Sequence, residues 1–156
     1  MCIVIDTNTL ASVFEIDSLN HLNFQPVYDW VRQGRGKVVY GGSKYAGELK
    51  GKYLKLFIEL RNTNRAVHID DHAVDMEEVW VSQQIQHNDF DDQHLVALLR
   101  VSGCRLICSL DERAYSYIRH DLFFKPVANK PKIYNQYRGR TLLVPANIAP
   151  VCKNNN

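Results

Sequence analysis

Four short apolar runs, each too brief for a helix and each broken by helix-length segments, dominate this chain: residues 2–5, 37–40, 66–69 and 105–110. Continuous β-branched and apolar runs of four to six residues are what fully buried strands require, and strands that alternate with helices build a parallel sheet covered on both faces. The expected fold class is therefore α/β, a three-layer α/β/α sandwich around a central, mainly parallel sheet. With 156 residues, one domain over residues 1–150 is the default, followed by a frayed tail at 151–156. A chain of this length buries roughly 70% of its unfolded surface, enough for a real core.

Helical spacing fills the gaps. Residues 6–14 read as a turn into a helix with Thr7 or Asn8 as cap. A second helix begins at Gln25–Pro26, and a long one runs from Lys44 to Asn62 behind a Ser43 cap. Residues 71–86 form an amphipathic helix. The stretch 89–104 is the clearest one, with an aspartate cap, an inner stripe of Leu95, Leu98 and Leu99, and Gly103 as its stop. After Asp111 a further helix is expected, then a last strand at 121–127, a loop at 130–139 and an edge strand near 140–146.

No apolar run is long enough to span a bilayer, and no basic start followed by an apolar stretch precedes Cys2. A cytoplasmic location without a membrane partner is the default expectation. Four cysteines show no CxxC pair, so Cys104 and Cys108 read as buried reduced thiols and Cys2 as core, rather than as zinc ligands.

Net charge is only +2, so distribution matters more than sum. Lys44, Lys50, Lys52 and Lys55 surround Glu48. Lys125, Lys130, Lys132, Arg138 and Arg140 interleave with Tyr134 and Tyr137. Aromatic and basic residues mixed in this way suit stacking on a nucleic acid, or packing against the sheet edge. Lys44, Lys132 and Arg138 are the candidate contacts to a nucleic acid.

Four acids adjoin the apolar runs: Asp6, Glu48, Asp92 and Asp111. Asp6 and Asp111 stand at carboxyl ends of expected strands, where open parallel sheets form their sites, and Glu48 and Asp92 near expected helix starts. Taken singly, Asp92 and Asp111 sit where caps belong, and a glutamate in a lysine-rich helix ordinarily faces water. Taken together they would repel, by roughly 4 kcal/mol for each pair 4 Å apart at an effective dielectric of 20. A divalent cation relieves that repulsion, and an oxygen-only ligand set suits Mg²⁺ or Mn²⁺. Such ions support metal-assisted phosphodiester hydrolysis.

The ordered motifs IVIDTNTL, SKYAGELK, NDFDDQHLVALL and RLICSLDERAY resemble those of the PIN domain family of ribonucleases, from about Met1 to about Phe124. The resemblance implies a Mg²⁺- or Mn²⁺-dependent endoribonuclease that leaves 5′-phosphate and 3′-hydroxyl ends on single-stranded or structured RNA. It implies Asp6, Glu48, Asp92 and Asp111 as catalytic and metal-binding acids, with Asn8 and Ser109 in support. Asp91 leaves the register of the third acid open, Glu59 is an alternative to Glu48, and Arg113 stands where many relatives carry another acid. His94 reads as a packing or supporting group, with general-base catalysis as the alternative. Small free-standing members of the family resemble toxins, so an antitoxin protein is a further expected partner, and exposed apolar positions on the second and third helices would support a homodimer. The alternatives are a non-catalytic RNA-binding module of the same fold and a haloacid-dehalogenase-like phosphatase, which wants an aspartate where Asn8 stands.

Overall fold

The computed structural model describes residues 2–153. Five strands, β1 (Cys2–Ile5), β2 (Lys37–Gly41), β3 (Ala66–Ile69), β4 (Leu106–Cys108) and β5 (Lys132–Tyr134), form one sheet in the order β3-β2-β1-β4-β5, with every pairing parallel. Every residue of β1 is fully buried, as a central strand covered on both faces must be. The helices are α1 (Leu10–Phe14), α2 (His21–Arg32), α3 (Ser43–Glu48), α4 (Lys52–Asn62), α5 (Asp71–Gln84), α6 (Gln93–Ser102) and α7 (Tyr115–Ile118). α1, α2 and α4 lie together, tied by Arg32–Glu59 and Lys52–Glu15 ion pairs, and α5 packs along α6. The result is the expected three-layer α/β/α sandwich.

The amphipathic stripes account for the packing. α6 buries His94 through Leu99 and ends at Gly103 in the left-handed conformation. α5 is capped by Asp70, which accepts from the Ala73 N–H at 2.9 Å. No helix among the described residues is long and apolar enough to cross a membrane.

Several elements depart from the sequence reading. The helix expected from Lys44 to Asn62 is two: Gly51 adopts φ +55, which breaks the hydrogen-bond ladder after α3. α2 starts at His21, well before Pro26. The carbonyl of Leu22, which Pro26 cannot serve, lies on a residue 74% exposed, so water can satisfy it. Residues 121–127 are turns rather than a strand, because adjacent Phe123 and Phe124 are both buried, whereas an edge strand would alternate them. The fifth strand instead comes from Lys132–Tyr134, within the expected loop, and the edge strand near 140–146 is replaced by a 3-10 helix, Tyr137–Leu142.

The tail expected at 151–156 does not begin at residue 151. Pro150–Cys152 forms a 3-10 turn, and Cys152 is buried in a disulfide with Cys2, whose Cα lies 6.3 Å away. Spacing alone could not pair two cysteines 150 residues apart. Cys104 and Cys108 are free and buried, as expected. Residues 154–156 of the expected tail lie outside the described residues.

Candidate active site

The strand order reverses between β1 and β4. At such a switch point the chain leaves neighbouring strands in opposite directions and opens a crevice beyond their carboxyl ends. Asp6 follows β1 and Asp111 follows β4 across this crevice. The Asp6 N–H donates to the Cys108 carbonyl at 2.9 Å, which extends the strand pairing to the rim.

Asp6 is 2% exposed. Its Oδ2 accepts from the Ser109 hydroxyl at 2.8 Å and its Oδ1 from the Asn8 N–H at 3.1 Å. Asp6, not Thr7 or Asn8, is thus the cap of the turn that leads into α1. Burial raises its pKa above the usual carboxylate value despite these bonds, and Glu48 and Asp111 push the same way.

Ser109 is fully buried and also accepts from the Asp111 N–H at 3.2 Å, so one hydroxyl joins both strand ends. The Tyr115 hydroxyl holds the Ser109 carbonyl at 2.7 Å. Asp111 caps the following turn and takes Arg113 Nε at 3.0 Å and Nη2 at 2.8 Å. That guanidinium lowers the Asp111 pKa.

Asp92 occupies the cap position of α6, yet its side chain makes no capping hydrogen bond. Its carboxylate is therefore free for another role. Burial first, then the fields of Asp6, Asp91 and Asp111, push its pKa up to about 7. Asp91, Asp92 and Asp111 each bring an oxygen within 4.8 Å of the others. The doublet left open by the sequence contributes both of its members to this triplet.

Glu48 is the last residue of α3, not at a helix start. It stands beside Asp6's neighbour: the Thr7 hydroxyl donates to its Oε2 at 2.6 Å. His94 Nε2 lies 3.7 Å from the same oxygen, and burial, assisted by Lys44, depresses the imidazole pKa to about 3, so the ring is neutral. Among the described residues, His94 Nδ1 is buried with no hydrogen-bond partner. α3 is fixed by Asp75, which accepts from the Ser43 N–H at 2.7 Å and from its hydroxyl at 2.5 Å. The Tyr45 hydroxyl bonds the Ile5 carbonyl at 2.6 Å, anchoring α3 to the end of β1.

The candidate RNA contacts divide. Lys44 reaches the rim, donating to the Asp91 carbonyl at 2.7 Å. Lys132 begins β5, away from the carboxyl end, and bonds Asn147 at 3.3 Å, but it lines an open groove of about 680 Å³ together with Tyr115, Arg119, Lys130 and Asn135. Tyr115 links that groove to the Ser109 carbonyl. Arg138 is exposed on the 3-10 helix Tyr137–Leu142, which packs on α2 and β5. Asn8 serves Asp6 through its backbone, with its side chain exposed.

Sequence reasoning named Asp91 only as an alternative register to Asp92 and Thr7 only as a helix cap, and missed Tyr45 and Tyr115. Thr7 adjoins Asp6, and that adjacency is its only signal for a contact with Glu48. The two tyrosines carry no motif; their hydroxyls matter only because the fold leaves them facing strand-end carbonyls.

The donor set fits a hard divalent cation: oxygens only and partly buried, with burial and neighbouring carboxylates pushing the Asp92 pKa up to about 7. No protein-family model, no curated protein and no solved structure matches this chain.

Proposed function

We propose that this chain is a Mg²⁺- or Mn²⁺-dependent endoribonuclease with PIN-like chemistry. The observation that carries the reading is the single Ser109 hydroxyl bonded to both Asp6 and the Asp111 backbone at the switch point, beside the close oxygens of Asp91, Asp92 and Asp111. Asp91, Asp92 and Asp111 would hold the ion, with Asp6 behind them. When bound, a divalent ion supplies Lewis acidity to a phosphodiester and lowers the pKa of water. The chain's own residues do the rest. Ser109 and the Asn8 N–H hold Asp6 in one orientation. Thr7 holds Glu48. Lys44 supplies positive charge at the rim, and the groove past Tyr115 supplies cations along which a phosphate backbone can run.

The test is cleavage of single-stranded RNA by purified protein with Mn²⁺. Asp92→Asn and Asp111→Asn should each lower the rate at least ~100-fold, by analogy with removal of one electrostatic contact to a transition state. Unchanged cleavage in both variants would end the assignment. A role as a toxin held by an antitoxin protein extends this proposal and awaits the same activity.

One observation favours a second reading, an RNA-binding module without turnover. Arg113 holds both oxygens of Asp111 and so stands in for positive charge that an ion would bring. Protein that binds RNA tightly but never cuts it with Mn²⁺ would support this reading over the first.

A further inference from the structure

A second concave site lies at the opposite, amino edge of the sheet. It is a pocket of about 410 Å³ between the end of α6, the segment before β4 and the turns at 123–129. Pockets of 300–1,000 Å³ are the usual size for small ligands. Its floor is apolar and aromatic: Leu99, Phe123 and Phe124 are all buried. Phe123 in turn packs edge-on to Trp80, with ring centroids 6.2 Å apart.

The pocket's charges are unbalanced. Arg100 is fully engaged: it pairs with Glu77, donates to the Phe123 carbonyl and lies 4.5 Å above the Trp80 ring. Glu77 is thereby neutralised. Arg105 and Lys125 are exposed at the mouth, and among the described residues no hydrogen bond or ion pair engages either side chain. Asp121, whose carboxylate feels Lys125, is already paired with Lys130 at 2.5 Å. Two cations therefore overhang an aromatic floor with no anion assigned to them. An arginine and a lysine together match the double charge of a phosphomonoester, and a flat ring matches the floor.

We infer that this pocket binds a small phosphomonoester with a planar aromatic body, at a site separate from the acidic rim. The inference does not rest on the nuclease reading.

Titration of ¹⁵N-labelled protein with adenosine 5′-monophosphate, in chelator to keep the acidic rim free of metal, tests it. Saturable shifts should map to Gly103, Arg105, Phe124, Lys125 and Asn129. Adenosine alone and inorganic phosphate should each bind at least about tenfold more weakly, since each lacks half of the recognition. The double variant Arg105→Glu, Lys125→Glu should weaken binding by about tenfold or more while the rest of its spectrum keeps the folded dispersion. Shifts absent from these residues, shifts confined to the acidic rim, or equal binding by the double variant would overturn the inference.

Discussion

The Ser109 hydroxyl donates to Asp6 Oδ2 at 2.8 Å while accepting from the Asp111 N–H at 3.2 Å. Because it is fully buried, water cannot replace it. Ser109→Ala should destabilise the protein by about 1–3 kcal/mol, the cost of stranding buried polar partners. Chemical denaturation checks this, and a loss below 0.5 kcal/mol, roughly the floor for a net hydrogen bond, would mean the bond is not formed.

Asp6→Asn keeps the size of the side chain and removes a charge that burial, Glu48 and Asp111 all disfavour. Because the new amide nitrogen must face either the Ser109 hydroxyl or the Asn8 N–H, both donors, the relief of charge is offset by a lost hydrogen bond, and metal-free Asp6→Asn protein should melt within ~2–4 °C of the wild type. The same variant should lose Mn²⁺-dependent RNA cleavage. Stability and activity moving apart is the diagnostic; a variant both less stable and fully active would contradict the site.

Asp92 sets a pH dependence of definite sign. Its folded pKa, about 7, lies above the unfolded value near 3.9, so the native state holds a proton that the unfolded chain has released. Stability should fall as pH rises between those two values and level off above about 7. Asp6 adds in the same direction; Asp111, with its lowered pKa, contributes stability above its unfolded pKa that is lost at lower pH. His94, with its pKa depressed from 6.5 to about 3, opposes this trend below about 6.5, so the Asp92 contribution is read as the difference between wild-type and Asp92→Asn melting temperatures in chelator, which should move in favour of the variant from pH 5 to pH 7.5. A difference that stays constant over that range would refute the assignment.

Arg113 competes for Asp111 with any ion. Its side chain is 66% exposed, so it can swing into water. Arg113→Ala should tighten Mn²⁺ binding several-fold by calorimetry, and Mn²⁺ at 100 times its Kd should stabilise the protein by about 2.7 kcal/mol. Weaker Mn²⁺ binding by this variant would show that Arg113 supports the site instead of opposing it.

Gly42 holds φ +91, and a Cβ there would meet Val74 Cγ1 at 2.7 Å. Gly42→Ala should cost about 1–3 kcal/mol through strain and overpacking. Since Gly42 leads into α3, the variant should also disturb Glu48, which the amide shifts of Thr7 would report. A neutral effect on stability would mean that the turn relaxes freely.

The parts of this molecule that local pattern controls were legible from its residues. β1 to β4, α5 and α6 follow from apolar runs, period and caps, and the acids at strand ends follow from the alternation. What local pattern does not control went astray. Lys132–Tyr134 pairs because β4 offers an open edge, a tertiary fact, and the break at Gly51 follows from the backbone turn α3 must make to reach Ile5. The leucine stripe that directly follows Asp92-x-His94 favours Asp92 over Asp91, yet the turn before α6 presents both. The disulfide joins segments whose meeting only the closed fold determines.

Neighbouring β1 and β4 lie a hundred residues apart in the chain, so the two halves of the rim are synthesised at different times. A nascent chain that has not yet delivered Ser109 exposes Asp6 on an unfinished sheet and can assemble no anionic cup. Non-local pairing of this kind is slow to form and late to complete. The topology thereby leaves the acidic rim incomplete until Ser109 and Asp111 have emerged and β4 has docked against β1.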